Sequence, residues 1–401
     1  MPSSIELTTR TDLSFLYKVL RTLIRPFRPR LVKPGKEAPP GSQRLKPLQK
    51  FKRGCEILES KREGVWEYTL RHTSTSQSQS QSRSRSQREA RQVDTWTQTS
   101  HDEGEQLNEA QEKINQRKTP HRVYYFCGGG FQSPPSSEHW LFLTKLTKDL
   151  ALGQGQEAKK RHREVEITVV SHPLAPASPA AETLPILRKW LTAALDDASG
   201  KGETVTLAGD SSGGNIALSL GLWAVQHYYS PPPTTTTIST ASPLVSVLVI
   251  SPAVDLRNIN PGIAEADKHD PVLTVGLTGR VAQAWTGNVA SKHTKTAPRR
   301  LVNLEDPDVS PLLNEDGVFE KVKDQGVSVH GVVGTHDVLA PDALELMRRC
   351  ERLGVKGKWL VWEGQMHCFP LAGVGDIIGL REGKEGRRWV EEVLREDACR
   401  V

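Results

Sequence analysis

The sequence predicts an α/β fold, a mostly parallel sheet with helices on both faces, and three observations carry that prediction. From residue 119 onward, apolar strand candidates at 122–127, 165–171, 204–208, 245–251, 327–333 and 358–362 alternate with helical patterns near 138–151, 183–196, 213–228, 341–353 and 386–396. Several strand candidates are short continuous apolar runs, VSVLVIS among them, as strands covered on both faces are. The chain, 401 residues with 36% hydrophobic and 25% charged side chains, can bury a sizeable core. In a sheet of this kind ligands sit beyond the carboxyl ends of the strands, so chemistry is sought there.

Charge divides the chain. Residues 1–72 hold 16 Lys/Arg against 7 Asp/Glu, leaving 37 against 40 in the remainder, so the formal charge of +6 is an N-terminal property. A broadly basic face on the main domain is not expected, nor is a nucleic-acid partner. The five cysteines (Cys55, Cys127, Cys350, Cys368, Cys399) are odd in number and widely spaced, with no CxxC pair, which reads as neither a disulfide framework nor a zinc site. No run of 18 apolar residues occurs, and LSFLYKVLRTLI is broken by Lys18 and Arg21, so neither a spanning helix nor a secretory signal is expected. An intracellular, cytoplasmic and reducing setting follows as the default expectation.

Four regions are expected. Residues 1–45 form a basic segment with an amphipathic helix, in which Leu13, Leu16, Leu20, Leu23, Ile24 and Phe27 recur at helical spacing behind Thr11 and Asp12 as candidate caps. That helix packs on the main domain or makes a peripheral membrane contact through residues 11–33. Residues 46–72 carry a strand, VWEYTL at 65–70. Residues 73–118 read as a low-complexity, disordered insertion, too poor in apolar side chains to offset the entropy of ordering. Its SRSRS stretch lacks interleaved aromatic residues, so a linker is preferred to an RNA-binding role. Residues 119–398 form the main domain.

Within that domain the strand TVTLA runs into Gly209-Asp210-Ser211-Ser212-Gly213 and then a helical pattern. Strand, G-x-S-x-G, helix is an arrangement that forces a serine outward at the top of a sheet, with the helix N-terminus behind it. No lysine follows, as a P-loop would require. Serine at neutral pH needs a base, and the base needs a carboxylate to fix its tautomer. Asp337 follows the strand VSVHGVV and His367 follows KWLVWEG, both beyond carboxyl ends, in the order Ser211, Asp337, His367. His336, His330 and Asp342 compete less well by position: beside the acid, inside a strand, and in the first turn of a helix.

YYFCGGGFQ, residues 124–132, then has a use. A tetrahedral intermediate needs fixed N–H donors where its negative charge develops. Gly129 and Gly130 are placed to present amides there with Ser212 as a third, while Gly128 supports the turn.

Together these motifs resemble the hormone-sensitive-lipase-like family of α/β-hydrolases, which carries His-Gly-Gly-Gly, Gly-Asp-Ser-x-Gly-Gly, then Asp and His. The resemblance covers about residues 119–398, with smaller echoes in PLAP (173–176), SPAVDL (251–256) and DVSPLLN (308–314). It implies an α/β-hydrolase fold with a partly helical cap formed by 256–310 and the N-terminal region. It also implies hydrolysis of small or medium carboxylic esters through a serine acyl-enzyme, with no metal or organic cofactor. Phe131, Val272, Leu273 and Trp285 are then candidate pocket walls or ordinary packing residues. Cys127 departs from the family, standing where it has histidine; the donors are backbone amides, so what the exchange removes is an imidazole that would brace the loop. Cys127 itself is expected to be a buried thiol. Two other readings remain open at this stage: a non-catalytic small-molecule-binding protein on the same scaffold, and an acyltransferase using the same residues.

Overall fold

The computed structural model describes residues 3–28, 32, 35–47, 54–73, 119–152, 163–228, 242–293, 300–372 and 380–400. The expected insertion, but for Thr73, lies outside them. Among the described residues nine strands form one sheet: β1 (Ile5–Arg10), β2 (Cys55–Arg62), β3 (Val65–His72), β4 (His121–Phe126), β5 (Val165–Ser171), β6 (Thr204–Asp210), β7 (Leu244–Ile250), β8 (Ser328–His336) and β9 (Gly357–Met366). Their order across the sheet is β1-β9-β8-β7-β6-β4-β5-β3-β2. From β1 to β5 every neighbouring pair is parallel, and β3 runs antiparallel to both β5 and β2.

Period-two alternation in the central strands builds a core on each face. In β7, Val247 and Val249 join one hydrophobic cluster, while Leu248 and Ile250 join the other. The first cluster takes in helices α3 (Ala180–Lys201), α4 (Ser212–His227) and α8 (Ala340–Leu353); the second takes in α2 (Ser137–Leu152) and α10 (Arg381–Asp397). Between β7 and β8 lie α5 (Ile263–His269), α6 (Val275–Trp285) and α7 (Asp316–Asp324), and α9 (Phe369–Ala372) follows β9.

The N-terminal segment contributes more than the expected helix. Before α1 (Phe15–Ile24) it supplies β1, an edge strand paired to β9 from Ile5 opposite Gly357 to Arg10 opposite Trp362. The helix is capped by Ser14, whose hydroxyl accepts the Tyr17 N–H at 3.2 Å, and not by Thr11 or Asp12. Asp12 instead pairs with Arg10 and Arg381, both at 2.7 Å. Tyr17 is fully buried and donates its hydroxyl to the Gly364 carbonyl at 2.9 Å, fixing one face of α1 to the domain.

Candidate active site

Ser211 sits at the end of β6 and caps α4 with φ 53° and ψ −120°, a backbone region that non-glycine residues rarely enter. Such a residue costs on the order of 1–3 kcal/mol and persists only where its surroundings fix it. They do: the Ser211 N–H donates to the Ile250 carbonyl at 2.8 Å, and the Ser211 carbonyl accepts from Asn215 and Ala253, each at 3.2 Å. The turn closes only because Gly213 has no side chain, since a Cβ there would lie 2.0 Å from the Phe126 carbonyl oxygen. Among the described residues, the other non-glycine residues with positive φ are Glu63, Phe131, Ser251, Asn258 and Cys368. Phe131, Asn258 and Cys368 line the same cavity as Ser211, and the Ser251 hydroxyl accepts the Cys368 N–H at 3.1 Å. Backbone strain is therefore concentrated around one site, where rigid placement of polar atoms has a use.

Asp337, beyond β8, is fully buried, and its Oδ2 lies 2.7 Å from His367 Nδ1 beyond β9. Its Oδ1 accepts the Leu339 N–H at 2.9 Å, which holds the carboxylate plane. Burial pulls the His367 imidazole down, but the Asp337 charge beside it outweighs burial and holds it well above its ordinary range. His367 Nε2, the ring nitrogen not taken by Asp337, lies 3.4 Å from Cys368 Sγ. The competing residues stand elsewhere. His336 Nδ1 faces Arg21 at 2.8 Å with its ring stacked on His269, His330 is buried within β8, and Asp342 lies in the first turn of α8.

A second carboxylate, not singled out by the sequence, stands beside this pair. Asp270 Oδ1 accepts the N–H groups of Val272 (2.7 Å) and Leu273 (2.8 Å), and its Oδ2 accepts that of Val338 (2.9 Å). It thus pins two pocket positions to the loop that carries Asp337. Burial and the nearby Asp337 charge push its carboxyl up to about 6.

The glycine turn is braced in an unexpected way. The Gly129 carbonyl accepts from Gln132 and Ser133, both at 3.1 Å, so among the described hydrogen bonds the turn is closed through that oxygen and not through the amides of Gly129 and Gly130. Gly130 adopts φ 61°, and a Cβ there would meet Val281 at 2.9 Å. Gly128 donates its N–H to Asp210 Oδ1 at 3.1 Å, and Phe131 donates its own to Ser212 Oγ at 3.1 Å. Asp210 is held in turn by the Tyr125 hydroxyl at 2.9 Å and by His139 Nε2 at 3.1 Å. His139 Nδ1 accepts the Ser136 N–H at 3.0 Å, leaving Nε2–H to donate to Asp210. Despite burial, the His139 ring and the other donors hold the Asp210 carboxyl below its ordinary range.

An imidazole therefore supports the loop, but it comes from α2 and not from position 127. Cys127 itself is buried, and burial together with the Asp210 charge pushes its thiol well above the ordinary range. His139→Leu is expected to lower kcat about 10-fold, less than outright loss of an oxyanion donor, with KM nearly unchanged. Steady-state kinetics should show partial recovery in His139→Gln, whose amide can still donate to Asp210; equal losses in both variants would assign His139 to packing alone.

Ser211, Ser212, His367 and Gly128 to Phe131 line one cavity of about 440 Å³, within the range of small-molecule sites. Its remaining walls are largely apolar, with Val272, Leu273, Leu277 and Val281 from the α5–α6 region, Leu339 and Met366 from the strand ends, and Val32 from the N-terminal segment. Residues 256–310 and the N-terminal region thus both border it. Trp285, a candidate wall, is not among the lining residues. It is fully buried and stacked on Phe131 with ring centroids 4.3 Å apart, so it stiffens the wall from behind. Gly209, the remaining motif position, is the penultimate residue of β6, where it pairs with Phe126 of β4 and Val249 of β7.

A family profile described as the alpha/beta hydrolase fold matches residues 123–371. An esterase of Acinetobacter venetianus is 22% identical over 250 residues, which are 62% of this chain and 67% of that protein. Hormone-sensitive lipase of Mus musculus is 24% identical over 215 residues, 51% of this chain, and the match spans 25% of the lipase. Among solved structures, EstE5 soaked with p-nitrophenyl butyrate aligns with a TM-score of 0.61 at 15% identity, covering 97% of this chain and 100% of that one. An esterase from the bacterial hormone-sensitive lipase family aligns with a TM-score of 0.58 at 17% identity, with the same coverage. With the strand order and the turn at Ser211 already in hand, these likenesses are to proteins of one architecture. The chain belongs to the α/β-hydrolase fold family.

Proposed function

We propose that this chain is a serine carboxylic-ester hydrolase acting on small or medium acyl esters, with Ser211 as nucleophile, His367 as general base and acid, and Asp337 as the group that orients His367. The observation that carries the reading is the 2.7 Å Asp337–His367 contact, with His367 lining one apolar cavity together with a strained serine at a strand-to-helix turn. His367 Nε2 takes the Ser211 hydroxyl proton as Oγ attacks the ester carbonyl carbon. The amides of Gly129, Gly130 and Ser212 hold the resulting oxyanion. Collapse of the intermediate breaks the bond to the alcohol, which leaves with the proton from His367. Water, deprotonated by the same imidazole, then attacks the acyl-enzyme, and collapse of this second intermediate breaks the bond to Ser211 Oγ, which takes the proton back from His367 as the acid is released. These groups account for each proton and charge in the scheme.

The wall formed by Val272, Leu273 and Phe131 suits an apolar acyl or alcohol group. Cys55, Cys127, Cys350 and Cys368 are free thiols, which suits a reducing, intracellular compartment.

Hydrolysis of a p-nitrophenyl ester series from acetate to laurate tests the reading. The expected result is a kcat/KM maximum at a short or medium chain, with decline at the longest chains as the cavity fills. A folded protein with no activity on any member would sink it in favour of a binding role. Ester formation in place of acid release, when an alcohol is added, would identify an acyltransferase.

A further inference from the structure

The helix α1 has a wider apolar arc than the domain covers. Leu13, Tyr17, Leu20 and Ile24 turn inward against the cluster that includes Trp362. Phe15, Leu16, Val19, Leu23 and Phe27 turn outward, 82%, 53%, 37%, 63% and 56% exposed. At 3.6 residues per turn Phe15, Leu16, Val19 and Leu23, the four on α1, span about 100° of arc, a stripe beside the buried one, and Phe27 follows in the 3-10 turn after the helix. Eleven large apolar side chains are exposed among the described residues, and five of them lie on this short segment, so the patch is not ordinary surface scatter.

Charge selects the occupant. Between Phe15 and Arg28 the chain has four basic residues, Lys18, Arg21, Arg25 and Arg28, and no acidic one. Lys18 and Arg25 are exposed and lie on the polar side of the helix, beyond the Phe15 edge of the stripe. An apolar stripe on a helix whose polar face is basic and free of acids is the form of a helix lying in the interface of an anionic membrane. A second copy of this chain is the poorer fit, because a two-fold contact would set this cationic face against itself.

We propose that α1 docks the protein on an anionic lipid surface, with Phe15, Leu16, Val19, Leu23 and Phe27 entering the acyl boundary and Lys18 and Arg25 meeting headgroups. No helix among the described residues is long and apolar enough to cross a membrane, so the contact is peripheral. The docking face is tied to the pocket. Arg28, just beyond α1, donates to the Asp267 carbonyl at 2.6 Å and to the carbonyl of Leu273, a cavity wall, and Arg25 donates to the Lys268 carbonyl. Docking therefore holds the cavity's cap wall close to the lipid.

The test is vesicle flotation of the full chain with phosphatidylcholine vesicles, with and without about 30 mol % phosphatidylserine. Wild type is expected to float with the anionic vesicles, and to lose binding about 10-fold between about 0.1 M and about 0.5 M NaCl. Phe15→Glu/Leu23→Glu is expected to lose partitioning at least about 10-fold, the two changes removing apolar burial and adding repulsion. Lys18→Glu, which keeps the stripe, is expected to lose only the advantage that phosphatidylserine confers. Both changed apolar positions are exposed, and thermal melting is the check that the variants are folded. The proposal is overturned if wild type stays unbound, if the double variant floats equally, or if binding ignores both phosphatidylserine and salt. It is also overturned if sedimentation velocity shows a wild-type dimer that the double variant abolishes. Flotation involves no substrate, so its failure and a failure of ester hydrolysis are separate results.

Discussion

Ser211→Ala is expected to reduce kcat/KM on p-nitrophenyl butyrate by about 10,000-fold or more, with little change in melting temperature. The hydroxyl is the only atom lost, and the turn does not depend on it. The Ser211 N–H and carbonyl are engaged by Ile250, Asn215 and Ala253 through the backbone, which alanine reproduces. Alanine meets the same steric penalty at φ 53° that serine does, so the strain is transferred unchanged. On the proposed mechanism what disappears is covalent catalysis as a whole, because there His367 and Asp337 act through that oxygen and have no separate route to the ester carbon. A residual rate over water from the amides of Gly129, Gly130 and Ser212 is expected. Activity within about 10-fold of wild type, in a preparation free of other esterases, would remove Ser211 from the mechanism.

The parts of this site that were legible in the sequence are those whose backbone has a chemical reason. G-x-S-x-G between a strand and a helix, a glycine run after another strand, and Asp and His after two more are local patterns, and a parallel sheet gathers strand ends without further instruction. What escaped is of two kinds. The edge strand β1 has Ile5 as its one buried residue, so no alternation marks it, and it is fixed by pairing with β9, 352 residues along the chain from Ile5 to Gly357. Helices α5 and α6 were expected only as an undivided cap, because α5 has seven residues and α6 carries two glycines, which leaves little periodic signal. The supporting side chains are the second kind. Asp270, His139 and Tyr125 act on Val338, on Asp210, and through Asp210 on Gly128, across distances in sequence that spacing does not encode. Trp285 shows the converse, since a large aromatic residue in the cap segment reads as a pocket wall until its stacking on Phe131 is seen.

Asp337→Asn is expected to lower kcat by about 10,000-fold, by a route that differs from the serine variant and leaves a signature of its own. Asparagine can keep its side-chain oxygen on the Leu339 N–H, now 2.9 Å from Asp337 Oδ1, but its amide nitrogen then faces His367 Nδ1. A donor there favours the imidazole tautomer with the proton on Nε2, which cannot accept the Ser211 proton. The pH profile separates this from simple damage. As the proposed general base His367 must be neutral to act in wild type, and the Asp337 charge holds it above its ordinary range despite burial, so kcat/KM is expected to rise with pH to a half-point above about 6.5. Without that charge, burial is the remaining large influence, and the half-point is expected to fall below wild type while the rate stays low. Asp270 responds in the same direction. Its carboxyl, pushed up to about 6 by burial and then by Asp337, should return toward the ordinary carboxylate range once the neighbouring charge is gone. In wild type, a carboxyl whose pKa is raised on folding contributes stability below its unfolded value that is lost as pH climbs through about 6. The melting temperature of Asp337→Asn should therefore fall less than that of wild type between about pH 4 and pH 6. A variant as slow as expected, but with an unmoved pH half-point and an unchanged melting profile, would mean that Asp337 does not set the charge of this site.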